Sequence, residues 1–357
     1  MSARSVLVQM WVRTGVLLLV SLLLEACSLG YYWQAATGQM DLLRRREPVF
    51  ELLADPATDP KLRERLQQAR QMLDFAHAEL SLPDNGSYRL YAQIDRPYVV
   101  WNVFAAPQLS LELRRWCYPV AGCVAYRGYF RRHAAQDFAQ RLAADGDDVF
   151  VGGVPAYSTL GRFRDPLLNT MLELPDRQLA GLLFHELAHQ RVYLRGDTAF
   201  SESFAMAVEL EGVDRWLAAQ GDEHAREQFH RWHERRGQVQ LLLQSARDRL
   251  QALYDSDLDA AGKRQRKAGI FEALRADYQQ LRASWSSPPY FDGWFDDRLN
   301  NASLGALAAY DEYVPAFRAL LRESDGDFAR FFEQADALAK LEPDARRARL
   351  AALAGGS

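Results

Sequence analysis

His185, Glu186 and His189 stand in the run Phe184-His185-Glu186-Leu187-Ala188-His189-Gln190. Two imidazoles four residues apart fall on one face of a helix, because four residues are just over one turn. Both can bind a single Zn²⁺, each through a nitrogen about 2.0–2.1 Å from the metal. Glu186 follows the first histidine, so it can reach a water activated by the metal without ligating the metal itself. That is the arrangement for metal-assisted hydrolysis with a carboxylate base. The competing reading is a helix with two hydrogen-bonded histidines and no metal. The flanks favour chemistry. Leu179, Leu182, Leu183, Leu187 and Val192 recur at helical spacing, which packs this helix in the core with its histidines in or beside it. Pro175 and Asp176 signal its start, and Gly196 its end.

A catalytic zinc site needs a third protein ligand and an open fourth position. Residues 200–217 read as a second helix, with Phe204, Ala205, Val208, Val213 and Leu217 apolar. A short turn at Gly196-Asp197 would fold it back antiparallel and bring Glu202, in its first turn, to the two histidines. Glu209 lies seven residues on and projects from the same face, where it can accept a hydrogen bond from the free N–H of a ligating histidine. The plainer readings are a helix-capping carboxylate for Glu202 and a solvated charge for Glu209.

His-Glu-Leu-Ala-His (185–189), then Ser-Glu-Ser-Phe-Ala (201–205), then Glu209, resembles the gluzincin metallopeptidases, whose alanyl-aminopeptidase branch has Asn-Glu-Gly-Phe-Ala with a later glutamate at the same offset. The gap from His189 to Glu202 is shorter than in that branch. The segments at 29–32 (Leu-Gly-Tyr-Tyr), 101–107 (Trp-Asn-Val-Phe-Ala-Ala-Pro), 152–161 (Gly-Gly-Val-Pro-Ala-Tyr-Ser-Thr-Leu-Gly) and 196–200 (Gly-Asp-Thr-Ala-Phe) are similar to a narrower group, the bacterial putative-aminopeptidase lipoproteins. The resemblance implies one Zn²⁺ on His185, His189 and Glu202, with Glu186 as general base. It implies a substrate-edge strand ahead of the metal helix, placed at Gly153 to Leu160 with Tyr157, Ser158 and Thr159; an ordinary inner strand and loop is the alternative. It also implies a tyrosine that stabilises the oxyanion, with Tyr310 first and Tyr157 second. That aminopeptidase branch anchors the substrate amine with a Gly-x-Met-Glu-Asn strand. No glutamate stands in Gly153 to Leu160, so endopeptidase action stays open.

The rest of the chain must position these groups. Residues 1–26 read as a secretory signal peptide: Arg4 and Arg13, then an apolar run from Val16 to Leu24 too short to span a bilayer alone. Leu24-Glu25-Ala26-Cys27 resembles a lipoprotein cleavage box, which would leave Cys27 lipidated; an uncleaved signal anchor is the rival. Ser28 after the cysteine favours the outer membrane, facing the periplasm. Cys117 and Cys123 then remain as a disulfide pair in an oxidising compartment, or as two buried thiols. A 48% hydrophobic, 25% charged composition describes a globular protein, and a net charge of −4 offers no field for nucleic acid.

Helical periodicity covers 38–46, 61–80 and 131–144, and strand patterns cover 88–94, 98–106, 118–129 and 148–154. Long helices follow at 223–253 and 271–285, with a basic turn at 262–267 reading as a solvated tip. His224, His230 and His233 read as solvated surface residues. The C-terminal 328–353 is a charged helical end. The expected fold is α+β and zincin-like, with a small N-terminal mixed sheet and a large, mainly helical C-terminal part. Its divisions are 1–26 signal peptide, 27–86 helical segment, 87–175 strand-rich subdomain and 176–357 helical subdomain with the zinc site. The expected function is zinc-dependent peptide hydrolysis by a cell-envelope aminopeptidase. A zinc endopeptidase, or a non-catalytic envelope scaffold on the same fold, is the alternative.

Overall fold

The computed structural model describes residues 30–118, 122–156, 158–285, 291–296, 298–309 and 312–355. The expected signal segment, Cys27, Tyr157 and Tyr310 lie outside the described residues. The chain divides into two compact units, Met1–Arg46 and Glu47–Ser357. In the first, residues 30–44 form helix α1, where Arg45 Nε donates to Asp41 at 2.8 Å. Tyr32 and Trp33 on this helix are exposed.

The structure is mixed α+β and about 64% helical, with small sheets. In chain order the elements are β1 (Arg46–Pro48), α2 (Val49–Ala54), α3 (Pro60–Glu79), β2 (Leu90–Ala92), β3 (Val100–Pro107), β4 (Trp116–Tyr118), β5 (Gly122–Val124), β6 (Arg127–Tyr129), α4 (Arg132–Ala144) and β7 (Asp147–Val154). Then follow β8 (Leu167–Leu168), α5 (Asn169–Leu172), α6 (Asp176–Arg191), α7 (Thr198–Gln220), α8 (Glu223–Tyr254), α9 (Ala260–Ala283), α10 (Asn301–Ala309), α11 (Val314–Glu323), α12 (Phe328–Ala339) and α13 (Pro343–Gly355).

An antiparallel sheet in the order β6-β3-β7 lies ahead of the helical part in sequence. Trp101 faces Tyr129 on one side of β3, and Val100 to Pro107 pair with Val154 to Asp147 on the other. Nearly every β3 side chain is buried, which is why this strand reads as a continuous β-former run without alternation. On one of its faces Phe104 and Ala106 pack with Ala302 and Ala306 of α10. β2 runs parallel to β8, with Tyr91 opposite Leu167. β4 and β5 form a hairpin in which Cys117 lies opposite Cys123, and the two are joined by a disulfide.

The helical core is built on α6 and α7. Along α7, residues Phe200 to Val208 are all buried. A helix apolar on most sides belongs inside, not on a surface. Phe204 stacks on Phe331 of α12 at 5.6 Å between ring centroids and meets Phe317 of α11 edge-on. Gly212 is the point of closest approach, because a Cβ there would lie 2.8 Å from both Leu80 Cδ1 and Phe184 Cδ2. Gly212→Val should therefore destabilise the fold by about 1–3 kcal/mol through overpacking, measured as a lowered urea midpoint with the slope unchanged.

Three expectations change. The basic run at 263–267 is no turn: α9 begins at Ala260, because Asp259 caps it by accepting from Gly262 N at 2.8 Å. Lys267 is no solvated tip either, since it pairs with the Asp148 carboxylate and donates to Gln108 O at 2.9 Å. And His233 is a partly buried group, not a solvated one: its Nε2 accepts from Arg318 Nη1 at 2.7 Å. Burial, with Arg318 and Arg236 beside it, pushes its pKa from 6.5 down to about 4. As pH falls, the unfolded chain takes up this proton first. His233 thus contributes stability that is full above about pH 6.5 and lost as pH drops through about 4. In His233→Gln, denaturation midpoints across that window should lose this part of their pH dependence.

Candidate metal centre

The segment before α6 is anchored by Arg65 of α3, which donates to Leu172 O at 2.8 Å and Leu174 O at 2.6 Å and pairs with the Asp176 carboxylate. Asp176 opens α6, where an acidic side chain suits the helix dipole. Leu179, Leu183, Phe184, Leu187 and Ala188 fill the core side, and His185 and His189 are buried beside them. α6 ends at Arg191, before Gly196, and residues 192–197 form the turn. Asp197 caps α7 by accepting from Phe200 N at 3.0 Å, and its other oxygen accepts from Arg346 at 3.1 Å. The Ser201 hydroxyl ties this turn down through Leu194 N at 3.1 Å. A cavity of 710 Å³ opens at the turn, lined in part by Arg195, Thr198, Arg247 and Arg346.

The fold-back brings Glu202 to the two histidines. His185 Nε2 lies 3.1 Å from His189 Nε2 and 3.3 Å from Glu202 Oε2, and His189 Nε2 lies 3.6 Å from the same oxygen. Ligands about 2.0–2.1 Å from one tetrahedral ion stand about 3.3 Å apart, so this triangle has the size that a single metal requires. Two ring nitrogens facing each other need a positive charge between them or a proton on one ring. The far side of the His185 ring is held by Glu209, whose Oε2 accepts from Nδ1 at 3.0 Å and so turns the Nε2 lone pair inward. Gly181, one turn before His185, leaves space for this contact: a Cβ there would lie 3.0 Å from Glu209 Oε1. The His189 Nδ1 atom is buried without a hydrogen-bond partner among the described residues.

The electrostatics agree with a cation site. Burial opposes a charged His185, but Glu202 and Glu209 outweigh it and push the ring's pKa up to about 10. Burial likewise opposes the Glu202 charge, yet His189 and His185 hold its carboxyl well below the usual range. Both shifts say that the carboxylates favour positive charge at this point. Glu186 is half-buried, and removal from water raises its carboxyl above the usual range against the pull of both imidazoles. Two histidine nitrogens and one carboxylate oxygen, all buried, fit a metal ion.

The strand residues are placed differently from expectation. β7 is the edge of its sheet, and Gly153 pairs with Trp101 and lies under the Tyr98 ring. The strand stops at Val154, because Pro155 has no N–H to continue a ladder. Beyond it Ser158 and Thr159 turn in around the buried Asp165, which accepts from Thr159 N at 2.9 Å and Thr159 Oγ1 at 2.8 Å. The extended edge thus covers only Gly153 and Val154 of the expected run. Asn169 binds the backbone of Ile94 in both directions, at 2.8 and 3.1 Å, and so joins the end of β2 to α5.

Three residues near the centre carried no usable signal in the sequence. Tyr193 places its ring 6.1 Å from that of His189. Burial, with Glu202 nearby, raises its phenol above the usual range. Asn85 Nδ2 donates to Gln190 Oε1 at 2.7 Å, next to His189 in the chain. Tyr88 is buried close to Glu186 and Asp165; its phenol is raised by burial first and by those two carboxylates next.

No curated protein and no solved structure matches the chain. One family, described as "Putative aminopeptidase", matches residues 30–350. Since that span takes in both helices of the candidate metal centre and the strands ahead of them, the chain belongs to the putative aminopeptidase family.

Proposed function

We propose that this peptidase-family chain is a zinc-dependent peptide hydrolase with a zincin-like fold, acting as an aminopeptidase of the cell envelope. The observation that carries the reading is the convergence of His185, His189 and Glu202 within 3.1–3.6 Å of one another, on the helix that also bears Glu186. Two nitrogen donors and one carboxylate favour zinc over magnesium or calcium, which prefer all-oxygen sites. Zinc bound there supplies a Lewis acid for the scissile carbonyl and lowers the pKa of water. His185 and His189 present Nε2, and Glu209 fixes the His185 tautomer. Glu186 takes the proton of the attacking water and passes it to the leaving amine. β7 is the outer strand of its sheet, and its edge would offer main-chain hydrogen bonds to an extended peptide.

Export and a lipid on Cys27 remain the reading of the sequence, in line with the Cys117–Cys123 disulfide, a bond that persists in oxidising compartments. No helix of the described residues is long and apolar enough to cross a membrane. Endopeptidase action is the second reading. An aminopeptidase must anchor a free amine with a carboxylate, and Asp165, the remaining acid acting on Glu186, is already engaged by Thr159. Digestion of a peptide library by the zinc-loaded protein, with each peptide free and N-acetylated, tests both. Cleavage abolished by chelator and by acetylation supports the aminopeptidase. Cleavage insensitive to acetylation assigns the endopeptidase, and cleavage insensitive to chelator ends the metal reading.

A further inference from the structure

The cavity of 710 Å³ at the turn between α6 and α7 has the size of a small-ligand site, roughly 300–1,000 Å³, and the proposed hydrolysis leaves it without a task. Its walls adjoin the candidate metal centre. Thr198 on one wall stands four residues before Glu202, so the two share a face of α7 and lie about 6 Å apart along its axis. Tyr313 on another wall donates its backbone N–H at 3.0 Å to the hydroxyl of Ser203, the neighbour of Glu202 in the chain. An extended peptide covers about 3.3–3.6 Å per residue. A substrate group a few residues from the scissile bond can therefore reach this cavity.

Arginines dominate the lining, and most are spent within the protein. Arg115 donates to Cys123 O at 3.0 Å and to Gly196 O. Arg346 donates to Asp197 at 3.1 Å and to Leu341 O at 2.8 Å. Arg347 pairs with Asp344, and Arg195 is engaged as well. Arg247 of α8 is different. It is half-buried on the cavity wall, yet it makes no hydrogen bond and no ion pair among the described residues. Glu312 and Asp248 attract it without pairing with it, and burial, the larger effect, works against its charge. The acids of the lining do not take its place as partners: Asp197 caps α7 and holds Arg346, while Glu112 and Glu312 are exposed, where water screens them. A partly desolvated guanidinium without a partner costs the fold stability, and an anion seated against it restores the missing bonds.

We propose that this cavity receives a carboxylate of the bound peptide and that Arg247 is the guanidinium that holds it. The planar fork of arginine matches the two oxygens of a carboxylate. A peptide carries that group at its C-terminus or on an Asp or Glu side chain. The inference rests on the reading of the chain as a peptide hydrolase, and it makes Arg247 a specificity residue, not a catalytic one.

Calorimetry on the zinc-loaded Glu186→Gln protein measures peptide binding without turnover. If the C-terminus is the anion, tetra-alanine as the free acid should bind roughly 10- to 100-fold more tightly than tetra-alanine amide. If a side chain is, tetrapeptide amides with one Glu should exceed those with one Gln by the same factor. At least one of these preferences is expected, and adding Arg247→Gln should reduce it to twofold or less. Arg247→Gln alone should hold the same zinc and unfold at the wild-type denaturant concentration or slightly above it, since no ion pair is lost. In turnover it should raise KM for the preferred peptide and leave kcat within twofold. Absence of both preferences, a preference that survives Arg247→Gln, or a variant that loses its fold overturns the proposal. If the wild-type protein cleaves no peptide, the hydrolase reading fails by itself, and the calorimetry still decides whether the cavity holds a carboxylate.

Discussion

Glu186→Gln should bind zinc as the wild type does and lose roughly a thousandfold in kcat, within the 10²- to 10⁴-fold that a positioned acid–base group contributes. Glutamine has nearly the same shape and can still sit against the metal helix, but it cannot take a proton from water. Metal should be retained because the centre is closed by His185, His189 and Glu202 without Glu186. The variant also loses a partly buried carboxylate that shares its surroundings with Glu202 and Asp165. Burial opposes the Glu186 charge first, ahead of those two acids and against the pull of both imidazoles, so an uncharged amide there should leave the fold at least as stable. The measurement is peptide turnover at equal zinc content, established by elemental analysis. Turnover within tenfold of the wild type would remove Glu186 as the base.

Glu202→Ala should separate the proposed third ligand from the residue behind it. Its loss leaves two imidazoles for the ion, and zinc affinity should drop by well over 100-fold, more than for an outer partner. Glu209→Ala leaves all three ligands and removes only the hydrogen bond on His185 Nδ1, 3.0 Å long. It should cost roughly 10- to 100-fold. Thermal unfolding reports the difference without any substrate. A ligand at a hundred times its dissociation constant stabilises by about 2.7 kcal/mol. Zinc at that excess should raise the wild-type melting temperature, raise that of Glu209→Ala less, and leave that of Glu202→Ala nearly unmoved. Equal shifts in all three proteins would mean that zinc binds elsewhere.

The helix that bears His185 and His189, and its partner, were legible for a physical reason. The spacing of His185 and His189 and the apolar period around them are local properties of one helix, and any fold that buries that face must present both rings together. Glu202 was within reach because the turn at residues 192–197 is short, and a short turn between two long helices leaves them antiparallel. Glu209 on the same face followed from the helical period. The continuous apolar run of β3 and the pairing of Cys117 with Cys123 are local in the same sense.

Where expectations failed, a partner distant in the chain intervened. Lys267 read as part of an exposed turn because its pairing with Asp148 joins residues 119 apart. His233 read as solvated because its contact with Arg318 spans 85 residues. The expected edge strand is different: it ended early for a local reason, because Pro155 has no N–H to continue the ladder.

The chain's own order of residues thus determined which atoms can hold a metal. A helix turns that order directly into a shape. Tertiary packing alone decided what surrounds the atoms: that Tyr88 enters from a loop nearly a hundred residues earlier, and that Gln190 clamps that loop 105 residues from Asn85. Such contacts exist only once separate elements have closed on one another, so no local period announces them.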